Sequence, residues 1–96
     1  MQSPNSLAFG AVEHVTLQLD ILREIRRYLT PYQTREAPIT GQTVISDGAT
    51  IDSLTLMDML MELEDRFDVS IPTRIVAEVR TVDQLADAIV ALRAAG

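Results

Sequence analysis

From Val12 to Leu29 the apolar residues Val12, Val15, Leu19, Leu22, Ile25 and Leu29 recur at threes and fours, which places them on one face of a helix that Pro31 ends. A second stripe, Leu56, Met59, Leu60, Leu63 and Phe67, predicts a helix from Leu54 to Phe67 with Asp52 or Ser53 as its N-cap. Asp68 to Pro72 breaks that period, and Pro72 suits the first turn of a short helix through Val79. Thr81 then caps a last helix whose stripe is Val82, Leu85, Ala86, Ile89 and Leu92, closed by alanines and Gly96. Residues 1–10 lack a period and contain Pro4 and Gly10, so they read as a loose lead-in to a single domain over 11–96. The stretch 30–52 holds Pro31, Pro38, Gly41 and Gly48 among many Thr and Ser. It is longer than an ordinary helix connection, so it crosses the bundle or serves function. No strand-like alternation of useful length and no internal repeat occurs. The expected architecture is an all-α four-helix bundle, three longer helices and one short third helix.

With 96 residues, 47% of them hydrophobic, the chain can bury one core and not two. No stretch approaches the roughly 18 uncharged apolar residues that a membrane span needs. The first residues carry no positive charge to begin a targeting peptide, so a cytoplasmic location without stable membrane insertion is expected. Cysteine is absent, which excludes disulfides, thiolate metal sites and any thiol nucleophile of the chain's own.

The net charge of −6 has one source. Between Asp47 and Asp68 the acids Asp47, Asp52, Asp58, Glu62, Glu64, Asp65 and Asp68 are opposed only by Arg66, and elsewhere arginines and acids balance. Such a field repels nucleic acid and attracts basic protein surfaces. On the second helix Leu54, Met57, Asp58, Met61 and Asp65 fall on a common face away from the core stripe. Adaptable methionine rimmed by carboxylates suits a surface that docks several partners better than a merely solvated face.

Ser53 stands at the start of this face, preceded by Asp52. Its ordinary role there would be an N-cap hydroxyl. It is a poor catalytic nucleophile: it lies outside a Gly-x-Ser-x-Gly elbow, His14 is the sole histidine, and no lysine exists to act as base. His14 reads as a surface or boundary residue of the first helix. The acids from Asp47 to Asp58 lack the ligand spacing of a calcium loop, and no metal site is assigned. An enzyme is therefore not expected.

Taken as one unit, Asp52-Ser53-Leu54, Leu60, Leu63-Glu64, Phe67, Val69 and Ile71-Pro72 resemble the acyl carrier protein family, which has Asp-Ser-Leu at the start of its second helix, Leu-Glu-x-x-Phe near its end and Ile-Pro after it. The resemblance implies 4'-phosphopantetheine attached covalently at Ser53, flanked by Asp52 and Leu54, and a carrier that holds acyl groups as thioesters. The donor would be coenzyme A and the installing partner a phosphopantetheinyl transferase. It implies further that Leu54, Met57, Asp58, Met61, Glu64 and Asp65 are read by basic patches on loading ligases, acyltransferases or synthases, that the protein is a monomer, and that Leu60, Leu63, Phe67 and Ile75 line an interior shelter for a fatty chain. Thr50 stands where the family usually has Gly, Thr55 where fatty-acid carriers have an acid, and the outer helices are charge-balanced. These departures favour a specialised stand-alone carrier in fatty acid, lipid A or polyketide chemistry. An aminoacyl carrier is an alternative, although the Gly-Gly of peptidyl carriers is missing. So is an unmodified helical interaction module in which Ser53 is only a cap.

Overall fold

A computed structural model describes the backbone of residues 3–95 and the side chains of residues 15–95. Four α-helices follow in order: α1 (Ser3–Leu29), α2 (Ser53–Phe67), α3 (Thr73–Glu78) and α4 (Val82–Ala95), with a 3-10 turn, Thr30–Tyr32, after α1. Among the described residues there is no strand, only one isolated bridge between Val44 and Thr81. The all-α reading of the sequence is the fold.

Helix α1 begins at Ser3, within the segment read from the sequence as a lead-in. Pro4 falls in its first turn, where a missing N–H costs nothing, and Gly10 weakens a helix without ending it. The side chains of Val12 and His14 lie outside the described residues.

The core-facing register of α1 differs from the expected stripe. Ile21, Ile25 and Leu29 are fully buried with Leu17, Leu22 and Tyr28 packed against them, whereas Val15 and Leu19 are 52% and 54% exposed. Apolar residues at threes and fours fit two overlapping stripes on this helix, and the side on which α2 and α4 pack selects one of them. Gln18 Nε2 donating to Asp87 Oδ1 at 2.8 Å marks the α4 side, and Arg66 Nε at 2.8 Å from Glu24 Oε2 marks the α2 side.

Helix α2 buries Met59, Leu60, Leu63 and Phe67 with Leu56 partly covered, as its period predicts. It ends at Asp68, whose φ of 54° lies in the left-handed region and reverses the chain. Two side chains hold that end. Arg93 Nη1 donates to the Phe67 carbonyl at 2.6 Å, and Glu64 Oε2 accepts the Ile71 N–H at 2.7 Å. Pro72 precedes α3, which contributes only half-buried Ile75 and Val76. Helix α4 opens with a reciprocal cap: Thr81 Oγ1 accepts the Gln84 N–H at 3.2 Å while Gln84 Oε1 accepts from Thr81 at 3.3 Å and Arg80 at 2.8 Å. Its buried residues are Val82, Leu85, Ala86, Ile89 and Val90, with Leu92 half-buried.

The long connection from 33 to 52 is fastened in two ways. Ile39, Ile45 and Ile51 insert into the core. Three backbone bonds tie the loop to the start of α4: Ile45 N–H to Arg80 O at 2.8 Å, Val82 N–H to Thr43 O at 3.1 Å, and Asp83 N–H to Gly41 O at 2.8 Å. The loop therefore arrives at α2 from a fixed direction.

Candidate functional site

Asp52 is the N-cap of α2, in extended backbone at φ −78°, ψ 172°, and Ser53 is the first helical residue. The Asp52 carbonyl accepts the Leu56 N–H at 3.0 Å and its Oδ1 accepts the Thr55 N–H at 2.7 Å. The carboxyl sits below its ordinary pKa because of the Thr55 N–H first and the Thr55 hydroxyl second. Partial loss of hydration opposes them, and the Leu54 N–H adds to the lowering. Asp52 is thus held ionised and locks the first turn.

The Ser53 side chain is exposed and takes part in none of the side-chain hydrogen bonds found among the described residues, since the capping role belongs to Asp52. Its Oγ stands at the positive end of a 15-residue helix whose first N–H groups have no carbonyl partner within the helix. A phosphodiester on that oxygen stands at the favourable end of the helix dipole, and the free hydroxyl gives up no hydrogen bond of the fold to carry it. The site fits a phosphate-linked group. Upstream, Gly48 at φ +78° and the Asp47 Oδ1 that accepts the Ala49 N–H at 2.9 Å turn the chain before Ile51 re-enters the core.

The outward face of α2 holds Leu54, Met57 and Met61, which are 71%, 50% and 62% exposed. Asp58, Glu62 and Asp65 are exposed beside them. Glu64 is half-buried, its Oε2 accepts the Ile71 N–H of the α2–α3 turn, and it lines one concavity with Asp58, Met61 and Asp65 of the expected docking face. Arg66 is drawn to Glu24 of α1. As a result, Asp58, Glu62 and Asp65 pair with no base among the described residues.

Two residues of this region were not singled out by the sequence as site residues. Glu62 extends the acidic row, and Tyr28 of α1 lines, with Asp58, Met61 and Asp65, an open concavity of about 670 Å³. Loss of hydration, followed by the charges of Asp58, Tyr32 and Glu62, raises the Tyr28 phenol above its usual pKa. Spacing on α2 foretells Glu62, whereas nothing in the sequence foretells that α1 brings Tyr28 beside it.

The interior differs from the expected shelter. A small apolar void of about 10 Å³ is lined by Ile45, Leu56, Leu60, Val76, Val79 and Leu85, so of the four residues named from the sequence Leu60 borders it. Leu63 is packed into the core, and Phe67 borders the α1 side near Glu24 and Arg66. No group of three or more histidine, cysteine or acidic side chains among the described residues is arranged to hold a metal ion.

The family model described as "Phosphopantetheine attachment site" matches residues 36–89. A "Probable acyl carrier protein" of Caulobacter vibrioides is 40% identical over 72 residues, covering 75% of this chain and 84% of that protein. The "Acyl carrier protein" of Chlorobium phaeobacteroides and that of Chlorobium phaeovibrioides are each 40% identical over 52 residues, covering 54% of this chain and 67% of theirs.

Proposed function

The chain belongs to the acyl carrier protein family, whose members are carriers and not enzymes and hold a covalent 4'-phosphopantetheine, and we propose that Ser53 is the residue that bears the group here. The observation that carries this reading is the exposed Ser53 hydroxyl at the first position of α2, left free because Asp52 does the capping. In loading by a phosphopantetheinyl transferase, Ser53 Oγ bonds to the phosphorus of coenzyme A that carries the pantetheine. The bond from that phosphorus to the adenosine bisphosphate breaks, and the serine proton leaves to a base of the transferase.

When bound, the group supplies a terminal thiol, and with it the thioester chemistry that a chain without cysteine lacks. The chain's own residues supply position. Asp52 fixes the first turn, the positive end of the α2 dipole faces the phosphate, and the α2 face presents Leu54, Met57 and Met61 beside Asp58 and Asp65 to partner enzymes with basic docking patches. The cargo is an acyl intermediate of fatty acid, lipid A or polyketide type. Thr50 and Thr55 support a specialised carrier over a housekeeping one. No helix among the described residues is long and apolar enough to cross a membrane, in keeping with a proposed cytoplasmic monomer.

The test is an intact-mass spectrum after incubation with coenzyme A, magnesium and a broad-specificity phosphopantetheinyl transferase. Wild type gains one phosphopantetheinyl group and Ser53→Ala gains none. A gain in Ser53→Ala would move the attachment site elsewhere, and no gain in either chain would leave α2 as a plain interaction face.

A further inference from the structure

Helix α1 has an outward side that neither α2 nor α4 covers. Its buried row is Ile21, Ile25 and Leu29, with Gln18 bonded to α4 and Glu24 paired with α2. On the outward side Val15, Leu19, Arg23 and Arg27 follow at intervals of four with Arg26 beside them, all exposed, so they form one stripe along the helix. The stripe is apolar in its first half and cationic in its second. The apolar half is the pair that the sequence period assigns to the core and the packing leaves in solvent. The cationic half is undercompensated among the described residues. Asp20 stands 3.8 Å from Arg23, Glu24 divides one carboxylate between Arg66 at 2.8 Å and Arg27 at 3.6 Å, and Arg26 donates to the Ile39 carbonyl at 3.4 Å. Four guanidiniums thus meet two carboxylates on a chain whose net charge is −6.

We propose that this stripe docks an acidic amphipathic helix of a partner protein, antiparallel to α1, with carboxylates over Arg23, Arg26 and Arg27 and apolar side chains over Val15 and Leu19. Charge complementarity identifies the occupant, since guanidinium forks bind carboxylates through two parallel bonds. Length narrows it further. Val15 to Arg27 spans about 18 Å, the reach of a helix of about three turns. A nucleic acid runs past the stripe and meets the acids of the rest of the chain, and two half-exposed aliphatic side chains bury too little to hold a lipid surface. The helix dipoles set the direction: acids in the partner's first turns and arginines in the last turns of α1 each sit at their favoured helix end when the two run antiparallel. Glu24 beside Arg66, and Tyr28 beside Asp58 and Glu62, show that α1 runs antiparallel to α2, so Val15 and Leu19 stand at the end of the bundle away from Ser53. A partner anchored there leaves α2 and Ser53 open. The stripe therefore suits a tether that keeps the carrier near its enzymes while the attachment point stays free.

The test titrates the full isotope-labelled chain with a cross-linked three-turn helical peptide that carries, on one face, glutamates in its first half and leucines in its second. A control peptide of the same composition has the glutamates spread around the helix. The ordered peptide is expected to bind roughly tenfold tighter and to shift the amides from Val15 to Arg27 while those of Met57 and Met61 stay in place. A paramagnetic label at its leucine end is expected to broaden Val15 and spare Arg27, and a label at its glutamate end to do the reverse. Leu19→Ala and Arg23→Glu, each checked for an unchanged fold by its amide spectrum, are expected to weaken the ordered peptide several-fold. Equal affinity for the two peptides, shifts on α2 in place of α1, the opposite label pattern, or indifference to both substitutions would each overturn the proposal. So would tighter binding to a short RNA duplex or to phosphatidylglycerol vesicles than to the ordered peptide. Ser53→Ala binds the peptide as wild type does, so a failure of loading at Ser53 leaves this readout intact.

Discussion

Oδ1 of Asp52 accepts the N–H of Thr55 at 2.7 Å, and that bond stabilises the first turn of α2 around Ser53 only while the carboxyl is ionised. Its pKa is lowered in the folded chain, so its contribution is complete above the ordinary carboxylate range. It is lost as the pH falls below the ordinary carboxylate range and through the lowered value. In a pH series of thermal melts, Asp52→Asn is expected to flatten the acid limb of the stability curve relative to wild type. An identical acid limb in both chains would show that the bond contributes nothing.

The register of α1 is tested by two alanine substitutions within a single turn. Ile21→Ala removes a fully buried side chain and is expected to cost about 2–5 kcal/mol in urea unfolding. Leu19→Ala trims an exposed one and is expected to stay within about 0.5 kcal/mol. The stripe read from the sequence alone would reverse that order.

Asp68 holds φ 54° without the freedom of glycine, and its side chain is exposed. Asp68→Gly relieves the left-handed residue at the end of α2 and is expected to add roughly 0.5–1 kcal/mol of stability. Loading at Ser53 should proceed unchanged, since the substitution sits at the opposite end of the helix. Denaturant midpoints of the two chains check the first expectation and intact mass the second.

The clasp between the α1–α2 loop and the start of α4 should resist hydrogen exchange at three amides that belong to no long ladder. Ile45, Val82 and Asp83 donate to Arg80, Thr43 and Gly41, and Ile45 is buried. Their exchange is expected to follow core amides of α4, whereas Gln42 and Gly48 exchange rapidly. Rapid exchange at Ile45 and Val82 would show that the clasp opens on its own.

Much of this fold is legible locally. The α2 stripe, its cap at Asp52 or Ser53 and the Thr81 cap of α4 depend on residues within a turn or two of one another, and spacing alone reports them. The α1 register is not local: Val15 and Leu19 satisfy the same period as Ile21 and Ile25, and only the placement of α2 and α4 decides between them. The loop clasp is written in backbone groups that every sequence possesses, which is why Thr43 and Arg80 carry no sign of it. The Asp52-Ser53-Leu54 element is visible because its chemistry is contiguous. Tyr28 reaches the acidic row of α2 only through packing.

The clasp also bears on how such a chain can diverge. Because Ile45, Val82 and Asp83 fasten the loop through main-chain groups, the side chains of Gln42, Val44 and Ser46 point to solvent with little asked of them. Those positions are free to drift among relatives, while Ile39, Ile45 and Ile51 are constrained by the space they fill. A lineage could thus rewrite the surface that leads up to Ser53, and with it the enzymes it meets, without rebuilding the bundle beneath.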